Sequence, residues 1–177
     1  MGYGLPAAIG ASFALNRGEV MCLNCDGSMM LNLQELQTMA HHSLPIKLFI
    51  FNNDGYLMIK NMQNALFKTG HVGTDRASGV SCPDYSKVAT AFNIPSFQIG
   101  SWEECDETLK KVQAASGPVI CEVFMHPEQP YIPKLSLVQR ADGTLLSPPL
   151  EDLSPLIDRA ALNKAMIIGI HEKSKLL

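Results

Sequence analysis

Residues 19–56 carry the sequence EVMCLNCDGSMMLNLQELQTMAHHSLPIKLFIFNNDGY, which decides the fold. Apolar, β-branched and aromatic runs at Glu19–Cys25 and Ile46–Phe51 predict two buried strands. Between them, Leu31–His42 has apolar residues along one helical face. Two strands joined through a helix by short links predict a parallel pair, because parallel strands need a crossover connection.

The same alternation of helices and strands extends outward from this stretch. Further helices are predicted at Pro6–Asn16, Leu57–Phe67, Asp84–Phe92 and Trp102–Ala115, and further strands at Ser96–Ile99 and Val119–Phe124. We therefore expect residues 1–126 to form an α/β domain with a parallel sheet covered by helices on both faces. Several prolines mark residues 127–177, which we expect to form an extended C-terminal tail with a terminal helix near Pro155–Ile168.

Composition excludes several classes of protein. The 177 residues are 46% hydrophobic and carry a formal net charge of −3, which suits a globular domain and gives no basic surface for nucleic acid. No apolar run approaches the length of a membrane span. The absence of a visible secretory signal and the odd count of five cysteines predict a cytoplasmic protein with reduced thiols. Cys22 and Cys25 form a C-x-x-C pair, but residues three apart in a strand point to opposite faces, so a redox or metal role is disfavoured.

Polar residues follow both strands of the quoted stretch. The first strand is followed by Asp26-Gly27-Ser28, and the second by Asn-Asn-Asp-Gly-Tyr at positions 52–56. Since ligands gather at the carboxyl ends of parallel strands, we expect these segments to lie side by side at a binding site. Mg²⁺ prefers oxygen ligands and binds few protein groups together with phosphate and water. The predicted ligands are the Asp26 carboxylate, the Asn53 amide oxygen and the Gly55 carbonyl.

A phosphate group is expected beside that metal. Gly27 would let the backbone approach the phosphate closely, Ser28 offers a hydroxyl, and the following helix begins with free N–H groups. Either polar segment alone would be an ordinary turn. Their occurrence together, at a positional difference of 53 − 26 = 27 between Asp26 and Asn53, favours a metal site.

The two motifs resemble the signature of thiamine-diphosphate (ThDP) enzymes, Gly-Asp-Gly followed about one βα unit later by Asn-Asn. Cys25 stands where the signature has its first glycine. Three other segments are similar to acetolactate synthase large subunits in particular: the opening residues 1–10, the Leu33–Leu36 segment and the Pro149–Leu156 segment. The resemblance therefore extends over nearly the whole chain.

This resemblance implies the ThDP-binding fold, with ThDP and Mg²⁺ as cofactors. It places the cofactor against ten residues: Gly2, Gly4, Asp26, Gly27, Ser28, Asn53, Gly55, Tyr56, Leu57 and Met58. Leu57 and Met58 resemble residues that line the substrate side of the thiazolium, although packing on a helix face explains them equally well.

The implied activity is that of a transferase of branched-chain amino acid biosynthesis. Such an enzyme decarboxylates a 2-oxo acid and condenses the resulting enamine with a second 2-oxo acid. No catalytic residue is assigned to this chain, because the family's activating glutamate belongs to a separate pyrimidine-binding domain, usually on a partner subunit. We expect this chain to be part of a larger homo-oligomeric enzyme and to be inactive without that domain.

Two alternatives stay open. One is the small subunit of a ThDP-dependent 2-oxo acid decarboxylase of the sulfopyruvate or phosphonopyruvate type, although the family-like Pro149–Leu156 segment favours the synthase. The other is a nucleotide-binding module, because Gly2, Gly4 and Ala7 match the Rossmann spacing. That fingerprint requires a preceding strand, and Pro6 removes one of the N–H groups that would hold a pyrophosphate.

Overall fold

The computed structural model describes residues 1–67, 70–140 and 142–176. Its helices are α1 (Gly4–Ala14), α2 (Asp26–Met29), α3 (Glu35–His41), α4 (Leu57–Leu66), α5 (Tyr85–Ala91), α6 (Trp102–Ala114) and α7 (Arg159–Ala165). Its strands are β1 (Val20–Cys25), β2 (Ile46–Asn52), β3 (Ser96–Ile99), β4 (Val119–Phe124), β5 (Val138–Gln139) and β6 (Leu145–Leu146). Two 3₁₀ turns lie at Arg76–Ser78 and Glu172–Leu176. No helix among the described residues is long and apolar enough to cross a membrane.

The first four strands form one parallel sheet in the order β1-β2-β4-β3, which confirms the predicted fold class. Strand β2 is central and consists of apolar residues apart from Lys47 and its final asparagine. In the register of β1 and β2, Cys25 lies opposite Phe51. The two strands therefore end at the same level, and the residues that follow them, Asp26 and Asn53, emerge at one edge of the sheet.

Helices cover both faces of the sheet, as predicted. On one face, α1, α3 and α5 pack over alternate strand residues such as Leu48, Ile50 and Ile120, all of which are fully buried. On the other face, α6 packs over Cys121 and Val119 of β4 and Ile99 of β3. Alternating strand residues thus feed two separate apolar clusters, as expected for a sheet buried on both sides.

Helices cover only part of the second face of the sheet. Helix α6 lies over β3 and β4, whereas Met21 and Leu23 on the same face of β1 are 60% and 63% exposed. Together with Phe49 and Phe51 of β2, they line an apolar cleft of about 620 Å³. An exposed apolar surface of this kind is typical of a face that packs against other protein.

Two helices that pack on the sheet differ from their predicted bounds by two or more residues, for local reasons. The helix predicted at Leu31–His42 begins four residues later, at Glu35, after the short α2 and a turn. Within that turn the Asn32 side chain donates a hydrogen bond to the Gly2 carbonyl at 2.6 Å, which holds Asn32 out of the helix. The first helix ends at Ala14 because Asn16 and Arg17 adopt positive φ angles of 53° and 62°.

The chain divides into two compact units between Gln129 and Pro130. In the second unit, β5 and β6 form an antiparallel pair and Lys134 bridges Ser154. The buried Asp152 carboxylate pairs with the Arg159 guanidinium through two hydrogen bonds of 2.6 and 2.8 Å. The helix predicted near Pro155–Ile168 is shorter, because it begins only after its N-cap, Asp158.

Candidate functional site

The Asp26 side chain lies at the carboxyl ends of β1 and β2 and is 1% exposed. One carboxylate oxygen accepts a hydrogen bond from the Gly27 N–H at 2.8 Å. The other accepts from two N–H groups of the next strand's turn, those of Asn53 at 3.1 Å and Gly55 at 3.0 Å. The structure therefore brings together the three residues that the sequence predicts as metal ligands.

Burial raises the pKa of the Asp26 carboxyl above its ordinary value of 3.8. The hydrogen bonds from the backbone N–H groups of Gly27, Gly55 and Asn53 act in the opposite direction, since hydrogen bonds to the charged form favour it. Because burial has the larger effect, ionisation of the Asp26 carboxyl is unfavourable in the protein without a bound cation. A cation at this corner would reduce that cost.

The Asn53 side chain provides a second oxygen with unused bonding capacity. Among residues 1–67, 70–140 and 142–176, the Asn53 Oδ1 is the one buried side-chain nitrogen or oxygen atom without a hydrogen-bond partner. A buried carbonyl oxygen without a partner is unfavourable unless a ligand satisfies it. The part of the chain that is described contains no group of three His, Cys, Asp or Glu side chains that could hold a metal. A cation here would therefore depend on the single Asp26 carboxylate together with amide, backbone and ligand oxygens.

The turn after β2 is held against a second loop. The Tyr56 N–H donates to the Thr74 carbonyl at 2.7 Å, and Thr74 is 1% exposed. Gly55 has φ +151°, and a Cβ added to it would lie 2.1 Å from that carbonyl oxygen. The Arg76 guanidinium also pairs with the Asp54 carboxylate at 3.1 Å. Glycine is therefore required at position 55 by the approach of Thr74, whatever ligand the site binds.

The space beside Gly27 is filled by protein. A Cβ added to Gly27 would lie 2.5 Å from the ring of Tyr56. We expected this glycine to let a phosphate approach the backbone, whereas in this structure it admits the Tyr56 ring. The contact joins two predicted cofactor-binding residues.

The opening glycines lie beside the Asp26 segment. The Gly2 N–H donates to the Ser28 hydroxyl at 2.9 Å, and Gly2 has φ +78°. Gly4 begins α1, and a Cβ there would lie 3.2 Å from the Asn24 side chain. The start of α1 is therefore tied directly to the residues that follow β1.

The last two predicted residues differ in exposure. Leu57, the first residue of α4, is 5% exposed and belongs to the interior. Met58 is 64% exposed and presents its side chain to solvent. Of the two, Met58 is the residue available to an incoming molecule.

Sequence reasoning missed Tyr85 and Cys82. The Tyr85 hydroxyl donates to the Asp26 carbonyl at 2.5 Å, and the tyrosine is fully buried. Burial, followed by the charges of Asp26 and Asp54, raises the pKa of the Cys82 thiol to about 11. No spacing in the sequence connects positions 82 and 85 with position 26, so no local pattern could have revealed these neighbours.

A parallel sheet with an oxygen-rich corner at adjoining strand ends defines an α/β domain of the class that binds ligands at the carboxyl edge of the sheet. Residues 1–123 match the family described as thiamine pyrophosphate enzyme, C-terminal TPP binding domain. The match covers more than half of the chain, and the chain therefore belongs to this family, whose cofactor, thiamine pyrophosphate, is ThDP.

Curated relatives point to one branch of the family. The chain is 38% identical over 125 residues to the acetolactate synthase large subunit of Porphyra purpurea, which covers 70% of this chain and 21% of that protein. It is 30% identical over 139 residues to the chloroplastic acetolactate synthase 2 of Zea mays, covering 76% and 22%. The mitochondrial acetolactate synthase catalytic subunit of Saccharomyces cerevisiae is 32% identical over 136 residues, covering 77% and 19%. The chain thus spans about a fifth of the length of these relatives.

The space around Gly55 and Gly10 predicts opposite effects of alanine substitution at these two positions. We expect Gly55→Ala to destabilise the chain by at least about 2 kcal/mol, because the added methyl meets a backbone carbonyl at an unfavourable φ. Gly10→Ala in α1, where the methyl meets no atom within 4 Å, should stabilise by about 0.5–1 kcal/mol. Urea unfolding measures both, and a wild-type midpoint for Gly55→Ala would contradict the geometry.

Proposed function

We propose that residues 1–126 bind the diphosphate of ThDP through a Mg²⁺ ion held by the Asp26 carboxylate, the Asn53 Oδ1 atom and the Gly55 carbonyl. The observation that carries the proposal is the buried Asn53 oxygen without a hydrogen-bond partner, beside a buried carboxylate. Oxygen donors of this kind suit Mg²⁺, which completes its octahedron with phosphate and water.

The hydrogen bonds of Asp26 support this assignment. A carboxylate has about four lone-pair positions, of which three here accept backbone N–H groups. The remaining position can coordinate a cation while the N–H groups fix the orientation of the side chain. Positioning of this kind is what the protein contributes to a cofactor site.

The residues around the metal would hold the phosphates. The Ser28 hydroxyl accepts from the Gly2 N–H and can donate its own hydrogen to a phosphate oxygen. Gly4 and Gly27 keep the backbone of the corner free of side chains. For a phosphate to reach Gly27, the Tyr56 ring has to move aside, so Tyr56 would contact the bound cofactor from its new position. We place Leu57 and Met58 on the substrate side.

We further propose that the reaction is of the acetolactate synthase type, a decarboxylation of one 2-oxo acid followed by condensation with a second. When bound, ThDP would supply the nucleophilic carbon and the electron-accepting ring that decarboxylation of a 2-oxo acid requires. The residues of this chain orient the diphosphate, and Met58, being exposed, lies free for contact with substrate. The similarity to acetolactate synthases supports this reaction class.

The proposal includes partners and a setting. We infer that the activating glutamate comes from a pyrimidine-binding domain or subunit and that the enzyme is a homo-oligomer. The bare apolar cleft around Met21 and Leu23 supports association with other protein. We also propose a cytoplasmic, reducing environment, in which the five free cysteines stay thiols.

Calorimetry of ThDP binding tests the metal site. We expect the wild-type chain to bind ThDP in the presence of Mg²⁺, to bind weakly without it, and not to bind NAD. Asn53→Ala should reduce the metal-dependent affinity by at least about tenfold. Its unfolding free energy should not fall, since the deleted oxygen has no hydrogen-bond partner.

Two further variants complete this experiment. Asp26→Ala should abolish the metal dependence, because it removes the charged ligand. Cys25→Gly restores the family's glycine and should leave ThDP affinity unchanged. Equal metal-dependent affinity in the wild type, Asn53→Ala and Asp26→Ala would show that the ligands were chosen wrongly.

The Asp26 carboxyl group should report metal binding through its pKa. In the metal-free chain the folded pKa is raised above the unfolded value, so stability is lost as the pH rises from the unfolded pKa through the folded pKa. Mg²⁺ with ThDP favours the charged form, and the pKa of Asp26 should then fall. The ¹³C shift of the carboxyl carbon, followed against pH, measures this change. The exposed Asp142 serves as a control, because its pKa should not respond to Mg²⁺ and ThDP. An unchanged Asp26 pKa would contradict the proposal that the metal ion binds beside Asp26.

The requirement for a pyrimidine-binding domain can be tested by turnover. The purified chain, supplied with ThDP, Mg²⁺ and pyruvate, should release no CO₂ and form no acetolactate above the protein-free rate. Addition of a pyrimidine-binding domain from an acetolactate synthase tests complementation. Robust carboligation by the pure chain would refute the requirement.

A further inference from the structure

Glu122 is a buried carboxylate that the proposed function does not use. It lies on β4 and is 2% exposed. Its two oxygens accept amide hydrogens, Oε1 from Asn52 Nδ2 at 2.7 Å and Oε2 from Gln98 Nε2 at 3.1 Å. Among the described residues, no lysine, arginine or histidine forms an ion pair with it. A buried charge supported by two amides is costly, so an apolar residue would serve packing at least as well.

The contact with Asn52 has a directional consequence. An asparagine amide can turn over, exchanging its nitrogen and oxygen at little cost in shape. An ionised carboxylate can only accept hydrogen bonds, so Glu122 requires the Asn52 nitrogen to face it. The Asn52 oxygen then faces the opposite way, where it accepts the Asp54 N–H at 2.9 Å.

That hydrogen bond holds the turn in addition to the hydrogen bonds to Asp26. Asp54 has a positive φ of 61°, and its N–H is tied to Asn52. The N–H groups on either side of it, from Asn53 and Gly55, both point to Asp26. The turn that carries the unpartnered Asn53 oxygen is thus fixed between a side chain of β2 and the carboxylate that follows β1.

We propose that Glu122 is a positioning residue for the metal-binding turn: it fixes the orientation of the Asn52 amide, which holds the Asp54 N–H and thereby the Asn53 oxygen. The metal-related part of this inference rests on the proposed function. The link from Glu122 to Asp54 stands on the hydrogen bonds alone.

Glu122→Leu separates positioning from packing. Leucine fills the buried space, and water can reach the half-buried Asn52 and exposed Gln98 amides that lose their acceptor, so the unfolding free energy of the metal-free chain should be maintained. The Asn52 amide loses its fixed acceptor, and hydrogen exchange at the Asp54 amide should accelerate by about tenfold or more. The Mg²⁺ concentration needed for half-maximal ThDP binding should rise by about tenfold.

Two controls isolate the proposed link. Glu122→Gln can still accept from Asn52 if the exposed Gln98 side chain turns over, but it no longer excludes the reversed Asn52 amide, so both quantities should lie between those of wild type and Glu122→Leu. Gln98→Leu removes the other amide from Glu122 at a position where water can replace it, and both quantities should stay within about twofold. Asn52→Ala removes the amide at the other end of the link and should reproduce the effect of Glu122→Leu. It provides the same test if Glu122→Leu does not fold.

The readouts distinguish the two levels of the proposal. Amide exchange is measured without cofactor, so failure of the wild-type chain to bind ThDP would remove the proposed function and leave the exchange result valid. Wild-type Asp54 exchange in both Glu122→Leu and Asn52→Ala would overturn the positioning role. Faster exchange with an unchanged Mg²⁺ requirement would overturn its connection to the metal.

Discussion

The candidate site depends on one interaction, the acceptance of two N–H groups from the turn after β2 by the carboxylate that follows β1. The interaction is possible because β1 and β2 are parallel and in a register that places Cys25 opposite Phe51. A shift of one residue would reverse the facing of every side chain on β1 and move Asp26 away from the turn. The sheet therefore provides the site with its geometry, and the apolar core that fixes the register is part of the binding machinery.

Around this interaction, several residues are in energetically unfavourable states that contacts within the chain do not relieve. Burial raises the pKa of Asp26 and makes its ionisation unfavourable, and the Asn53 oxygen is buried without a hydrogen-bond partner. Asp54 has a left-handed conformation, and Gly55 allows the Thr74 carbonyl to approach. Concentrated costs of this kind are typical of functional sites, where local rules of stability are broken for a ligand.

The fold was largely predictable because its decisive signals are local. Apolar runs set the strands, and the crossover through a helix required them to be parallel. The proximity of Asp26 and Asn53 followed from that topology. In contrast, the hydrogen bond from Tyr85 to the Asp26 carbonyl and the approach of Thr74 to Gly55 join residues far apart in sequence. Contacts of this kind depend on tertiary packing, which no periodicity encodes. The break before α3 was missed because it depends on the Asn32 contact with Gly2.

Glu122 shows why sequence patterns are weak at buried polar positions. In an alternating strand pattern a glutamate indicates a solvent-facing residue, yet here the sheet places it under an exposed glutamine and beside Asn52. Its value is directional: an acceptor-only group selects one of two nearly equivalent orientations of an amide, and packing alone cannot make that selection. The sheet interior thus contributes to the site through the polarity of its hydrogen bonds as well as through apolar burial. In the proposed site, the position of the Asn53 oxygen therefore depends on Glu122, a residue of another strand, which acts through the Asn52 amide and the Asp54 N–H.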